Sequence, residues 1–361
     1  MSDSPKSTAE TLIVGGSLGG LVAALSLAAH GRSSTVLERT EGRTQRGVAI
    51  LVAGADLRRA LSVRAAQTVF AALGPAASRQ GVYPHAWWDV YRALHAAAQE
   101  EPLITVVPGE RVIEVGQNDA EAWARTARGE TWTASAILGA DGYRSVVRTV
   151  VDAERPIAPY AGYVVWLGQA EVPEEYAHRI GGPNFFDGDD GMLAVYPLID
   201  QDEQVRHFGF GWFDPNRDDV FRAVGAVDGD EVKHTPRVTD LPDAVFDGLI
   251  ASADEWSEPW RSGVIGALRE RDVVPTPITE YLPRTVVDGR LALLGDAAHA
   301  QTPMTGAGFQ EAVADAVALG EVMDDDAVES LARYEAVRLA GMQRRVSSGQ
   351  SFSRSFASGA W

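Results

Sequence analysis

Residues 12–31, LIVGGSLGGLVAALSLAAHG, set an apolar run, a glycine-rich turn and an Ala/Leu stretch in direct succession. This order constrains the fold strongly: the first run suits a buried strand, the last a buried helix, and the turn between them leaves little room for side chains. A second apolar run, STVLER, follows and carries Glu38 near its end. Together they form the first βαβ unit of a dinucleotide-binding fold. In the usual G-x-G-x-x-G pattern the first glycine makes the turn, the second admits a pyrophosphate and the third lets helix and strand pack closely. Gly15, Ser17 and Gly20 hold those places. Serine is the smallest replacement with a Cβ, and its hydroxyl can bond a phosphate oxygen, so a pyrophosphate site at the helix N-terminus is expected to survive. Glu38, with Arg39 beside it, stands where an acid would accept hydrogen bonds from an adenosine ribose. Neither feature separates NAD from FAD.

At 361 residues the chain is long for one core, which favours two domains or one enlarged by insertion. A composition of 45% hydrophobic and 23% charged residues suits a globular protein. No run of 18 apolar residues suggests a membrane span. The opening MSDSPKSTAETLIV lacks the basic start of a secretory leader. The absence of cysteine excludes disulfides, zinc thiolates and thiol nucleophiles, and a reducing cytoplasm fits it. No metal site is expected. A formal charge of −18 argues against nucleic acid and anionic membranes as partners, and acidic runs such as Asp324-Asp325-Asp326 read as solvated.

Further along, GVAILV is apolar, and WWDVYRALHAAAQE reads as an amphipathic helix carrying Arg92. LITVVPG and RVIEVGQ follow, then a hairpin turning at Arg128-Gly129-Glu130 that runs into a buried strand. From about 156 to 275 period-two alternation with many aromatics predicts an antiparallel sheet with one face covered. PDAVFDGLIASA and SGVIGALRE read as short helices against it. The α/β texture then returns with GRLALLGDAAHA, a Pro/Gly loop and two helices, while the tail SFSRSFASGAW is expected to be loosely held. The expected division is thus 1–155, an inserted sheet domain over 156–275, and 276–361 completing the first domain.

Two later segments narrow the cofactor. ILGADGYRSVVR places Asp141-Gly142 at a strand end, followed by Arg144 and Arg148. LALLGDAAHAQTPMTGAG places Gly295-Asp296 at another, followed by Pro303, Gly306 and Gly308. With the N-terminal turn, this ordered set resembles the group A flavin monooxygenases, the class of para-hydroxybenzoate hydroxylase. The resemblance covers most of the chain. It implies a Rossmann-like FAD-binding α/β domain with an inserted, mostly antiparallel substrate sheet.

The resemblance also implies roles. Asp296 would accept a hydrogen bond from a ribityl hydroxyl of FAD, although a helix N-cap is the alternative reading. Pro303, Met304 and the run Gly306, Ala307, Gly308 would pass the isoalloxazine ring, Pro303 beside the reacting centre and Met304 within reach of substrate. The helix from Phe309 would direct its positive end there. Arg92 would reach the cofactor from its helix, and Asp141 would lie beside FAD and the pyridine nucleotide. No second dinucleotide fingerprint is present, in keeping with a class that binds NAD(P)H transiently.

PYAGYVVWLG, GMLAVYPLI, HAWWDVYRALHAA and the serine in the turn resemble the 2,6-dihydroxypyridine hydroxylase branch, and more distantly FAD-dependent urate hydroxylase. The arginine a urate enzyme uses finds no match around DDGMLAV, and the stretch from Glu38 to Arg92 is shorter than usual. The implied chemistry is hydride transfer from NAD(P)H to FAD, reaction with O2, and attack of an electron-rich aromatic or heteroaromatic ring on C4a-hydroperoxyflavin. Such a ring needs an activating base, for which His207 is the candidate. Tyr196, Phe210 and Trp212 are candidate pocket walls. A reductase of the same fold and a non-catalytic FAD-binding protein are the alternatives; the W-x-W-x-I-P segment of flavin halogenases is missing. A monomer or homodimer is expected.

Overall fold

The computed structural model describes residues 6–7, 10–42, 49–179, 182–199 and 202–358. Most of the opening, the start of GVAILV and the last three residues of the tail lie outside that set.

A six-stranded sheet forms the centre of the larger half, in the order Val287–Asp288, Leu291–Leu293, Ala136–Gly139, Thr11–Val14, Ser34–Glu38, Ile104–Pro108. All neighbours run parallel except the first pair. Its middle strands, TLIV, STVLE and AILG, are buried along their whole length, as expected of parallel strands covered on both faces. The helix Leu18–Ala29 packs on this sheet, and the helix Gly308–Val322 packs against that helix. A four-stranded sheet, Lys6–Ser7, Thr131–Ala134, Ala122–Thr126 and Val112–Gln117, lies beside it. Residues 122–134 form the expected hairpin.

The smaller half is an antiparallel five-stranded sheet ordered Asn184–Gly188, Gly191–Leu198, His207–Asp214, Tyr160–Glu171, Val273–Thr279. Its last strand runs across position 275. Helices Asp243–Ser252 and Trp260–Glu270 cover one face, burying Trp166, Phe208, Phe210 and Trp212 against Phe246, Trp260 and Val264. The other face looks toward the parallel sheet. Between the halves, Ala49–Ala53 pairs antiparallel with Val82–Ala86 as a separate ribbon, so the short stretch before Arg92 still contributes strands.

The tail departs from expectation. One helix runs unbroken from Ala327 to Ala357. Phe356 is fully buried, edge-on to Tyr163 at 5.4 Å between centroids and to Phe213 at 6.4 Å. The serines that suggested a loose end face outward or bond the helix backbone, while Phe356 finds an apolar seat on the sheet and Phe352 stays exposed.

Candidate active site

At the first turn, Gly15 takes φ +107°, and a Cβ there would lie 2.4 Å from the carbonyl oxygen of Ala140. A Cβ on Gly20 would lie 1.9 Å from the Gly15 oxygen, so this third glycine packs helix on turn rather than reaching outward. Ser17 is the N-cap of the helix in extended geometry, yet its side chain makes no capping bond and lies on the cavity wall. The Glu38 carboxylate accepts the amide protons of Gly16 at 2.8 Å and Thr40 at 2.9 Å. The turn is thereby tied to the strand end that carries the acid.

The DG segment follows strand Ala136–Gly139. Asp141 Oδ2 accepts from the Val146 amide at 2.7 Å, while Oδ1 is buried without a protein partner. Burial raises this carboxyl above the usual carboxylate range, its hydrogen bonds opposing the shift. Arg148, 1% exposed, donates to the carbonyls of Pro156 and Ala297 at 2.9 Å each and to that of Tyr143, joining the DG segment to the GD segment. Arg148 is thus a bracket inside the protein, whereas Arg144 is exposed at the cavity edge.

Beyond strand Leu291–Leu293 the GD segment is held from below. Asp315, fully buried in the helix Gly308–Val322, accepts from the Gly295 amide at 2.9 Å, pairs with His299 Nε2 at 2.6 Å and takes Arg338 Nε at 2.7 Å. Burial would favour neutral partners, but their mutual charge outweighs it: Asp315 is lowered and His299 raised. This network leaves Asp296 free to face the cleft. Thr302 caps the loop, accepting from Met304 N at 3.3 Å and meeting the Tyr163 hydroxyl at 2.7 Å. Gly306 takes φ +60°, which turns the loop into the next helix.

These pieces line one cavity of about 1040 Å³, at the upper end of the usual range for ligand pockets. It brings together Gly15, Ser17, Glu38, Arg39, Asp141, Asp296, Pro303, Met304, Gly306, Gly308 and Tyr196. Gly20, packed under the turn, and Ala307, the N-cap of helix Gly308–Val322, are outside the lining. Burial raises the Tyr196 hydroxyl far above its ordinary value, so it keeps its proton at neutral pH.

Four expected residues lie elsewhere. Phe210 and Trp212 are fully buried on the helix-covered face, because strand His207–Asp214 turns its even positions there. The cavity instead receives Gly211 and Phe213. His207 has the right parity but sits at the first position of the strand, opposite Glu171 and Leu198, outside the lining. Arg92 is 61% exposed and pairs with Asp89 at 3.6 Å. Trp87, five residues earlier and therefore about 140° away around the helix, supplies that helix's contact with the cavity. The sequence reading missed Trp87, Arg111, Phe185, Phe213, Gln301 and Thr302. For Phe213 a signal was present: glycines at alternate strand positions mark the face that something approaches closely.

Known proteins bear on this arrangement. The FAD binding domain family matches residues 269–348. The aurachin C monooxygenase/isomerase of Stigmatella aurantiaca is 27% identical, with 91% of this chain and 84% of that protein covered. The 2,6-dihydroxypyridine 3-monooxygenase of Paenarthrobacter nicotinovorans is 28% identical, with 91% and 86% covered. Klebsiella pneumoniae HpxO, crystallised with FAD and uric acid, superimposes with a TM-score of 0.74 at 22% identity, covering 97% of this chain and 89% of that one. With the three ordered motifs and the two-sheet architecture, these likenesses make the chain similar, along nearly its whole length, to FAD-dependent aromatic hydroxylases.

Proposed function

We propose that this protein hydroxylates an electron-rich aromatic or heteroaromatic compound, with FAD along the cleft, NAD(P)H as reductant and O2 as oxygen source. The observation that carries the reading is the convergence of the glycine turn, the DG segment and the GD segment on one cavity whose opposite wall is the five-stranded sheet.

The residues fit FAD. The turn is closed to any side chain at Gly15 and Gly20, Ser17 keeps its hydroxyl unspent, the buried Asp141 Oδ1 lacks a partner, and Asp296 faces the space. Gly15, Ser17 and the amides opening helix Leu18–Ala29 would hold the pyrophosphate, with Gly20 keeping the helix close enough to do so. Glu38 and Arg39 would meet the adenosine ribose, and Asp296 a ribityl hydroxyl. Pro303, Gly306, Ala307 and Gly308 would border the ring system, and the 15-residue helix Gly308–Val322 directs its positive end at the same place, favouring negative charge there. Bound FAD supplies hydride acceptance and oxygen activation. The chain's task is to hold the aromatic ring against the loop and exclude water.

Tyr196, Phe213 and Met304 would contact substrate. Tyr196, protonated at neutral pH, would act as a hydrogen-bond partner of a ring oxygen. His207 has no geometric support as the activating base. The sheet over 156–275, with its last strand ending at Thr279, is proposed as the substrate half. We place the protein in the cytoplasm, where NAD(P)H is kept, as a monomer or homodimer.

The test is aerobic NAD(P)H oxidation by the yellow, purified protein against phenols and heteroaromatics, with isotopically labelled O2. Ligand-stimulated oxidation with label in the product is expected. Ligand-stimulated consumption that yields only peroxide across the panel overturns hydroxylation, and aerobic turnover no faster than anaerobic turnover would point to a reductase.

A further inference from the structure

Resting on that reading, we infer that Gly211 and Ala194 set the size of the substrate, and that the site takes a fused-ring aromatic without a carboxylate substituent. The register places Leu167, Gly211, Ala194 and Phe185 in one row across four neighbouring strands, and all four line the cavity. Three strand spacings put the outer two backbones about 14 Å apart. Between them stands nothing larger than a methyl group. That floor is wider than a single six-membered ring.

The glycine at 211 has no structural explanation, unlike its neighbours. Gly168 makes room for the ring of Phe210, whose Cζ lies 2.5 Å from where a Cβ would be. Gly209 does the same for Tyr196, at 2.5 Å. At Gly211 a Cβ would make ordinary contacts, 3.4 Å to Val165 and 3.5 Å to Leu167 and Phe213. Nor is its φ among the positive ones. A strand interior is a costly place for glycine, so a position that could accept a side chain and lacks one leaves its space to a ligand.

Charge narrows the class. The sheet contributes Leu167, Phe185, Ala194, Tyr196, Gly211 and Phe213 to the lining, none of them charged. The arginines that line the cavity among the described residues, Arg39, Arg111 and Arg144, belong to the ribose end and the DG segment. A carboxylate laid on this floor would be desolvated with no cation from the sheet beside it, since the sheet offers only the Tyr196 hydroxyl there and His234, also on the lining, is exposed and outside the sheet. Phe185, 61% exposed at the edge, extends the apolar surface outward, where a longer ring system would rest.

The test measures binding by perturbation of the flavin absorbance, without oxygen or NAD(P)H, for resorcinol, a naphthalenediol and the carboxylated naphthalenediol. Wild type is expected to bind the naphthalenediol more tightly than either of the others, by about tenfold. Gly211→Leu and Ala194→Leu should each reduce the naphthalenediol-to-resorcinol preference about tenfold or more. If Gly211→Leu does not retain FAD, Gly211→Ala, whose Cβ finds ordinary contacts, should move the same ratio in the same direction. An unchanged ratio in the folded variants, or a wild-type preference for resorcinol or the carboxylate, overturns the inference. Because no turnover is measured, a protein that shows the expected binding but forms no hydroxylated product would sink the hydroxylase reading and leave this one standing.

Discussion

His85 and His299 are both buried, and burial leads them in opposite directions. His85, 2% exposed on the ribbon, has a buried Nε2 without a hydrogen-bond partner, and desolvation pushes its ring down to about 4. The folded chain then stays neutral where the unfolded chain takes up a proton, so stability falls as pH drops from about 6.5 toward 4. For His299 desolvation is outweighed by the charge and hydrogen bond of Asp315, and its value is raised. Its contribution is complete below the ordinary histidine value and is lost as pH rises through the raised one. Thermal melts across about pH 4.5 to 9 should therefore show melting temperature declining at both ends. His85→Leu should flatten the acid limb and His299→Asn the alkaline limb; a variant that leaves its limb unchanged would refute the assignment. At this scale the sequence was readable where backbone geometry dictates identity, as at Gly15 and Gly20, and the strand ends carrying Asp141 and Asp296 were legible as points that meet at one cavity. It misled where side-chain volume looked like function. Phe210 and Trp212 are large because two helices press on their face, whereas the cavity face of the same strand is marked by what is missing at 211.

Among the elements, the parallel strands, the hairpin and the helix after the Pro/Gly loop were legible because each carries its own periodicity. The last turns of the C-terminal helix were not. SFSRSFA is rich in serine, a middling helix former, and its order comes from partners far away in sequence, Tyr163 and Phe213. Phe356→Ala should cost about 3–5 kcal/mol in urea unfolding. It should also raise KM for substrate more than it changes FAD retention, since Phe213 lines the cavity and packs in one cluster with Phe356, whereas no residue of the glycine turn belongs to that cluster. Equal losses of both would mean that the helix end supports the whole molecule rather than the sheet. Arg92 teaches a related lesson. The segment was rightly read as a helix, but a cationic residue one and a half turns along faces solvent, and only the position of the helix relative to the cleft could reveal Trp87.

At the scale of the molecule, the residues proposed to face the cofactor come from four separated stretches, near 15–20, 38–39, 141 and 296–308. A ligand that bridges all of them binds only the folded chain and stabilises it by mass action, about 2.7 kcal/mol at a hundredfold excess over Kd. Removing FAD should lower the melting temperature by several degrees, and adding it back should restore the loss in proportion to the logarithm of its concentration. A melting temperature independent of FAD would show that these stretches are held together without it. The helix Ala327–Ala357 has a further consequence. Near one end the Tyr334 hydroxyl donates to the Leu293 carbonyl at 2.9 Å, under the strand that leads to Asp296; near the other, Phe356 is packed into the antiparallel sheet. The 22 residue steps from one to the other make a rod of about 33 Å, so the spacing between the GD segment and the antiparallel sheet is gauged in helical turns. One inserted residue would spin the far end by about 100° and pull the aromatic anchor off its seat. Length changes in related chains should therefore collect in the surface loops and spare this spacer.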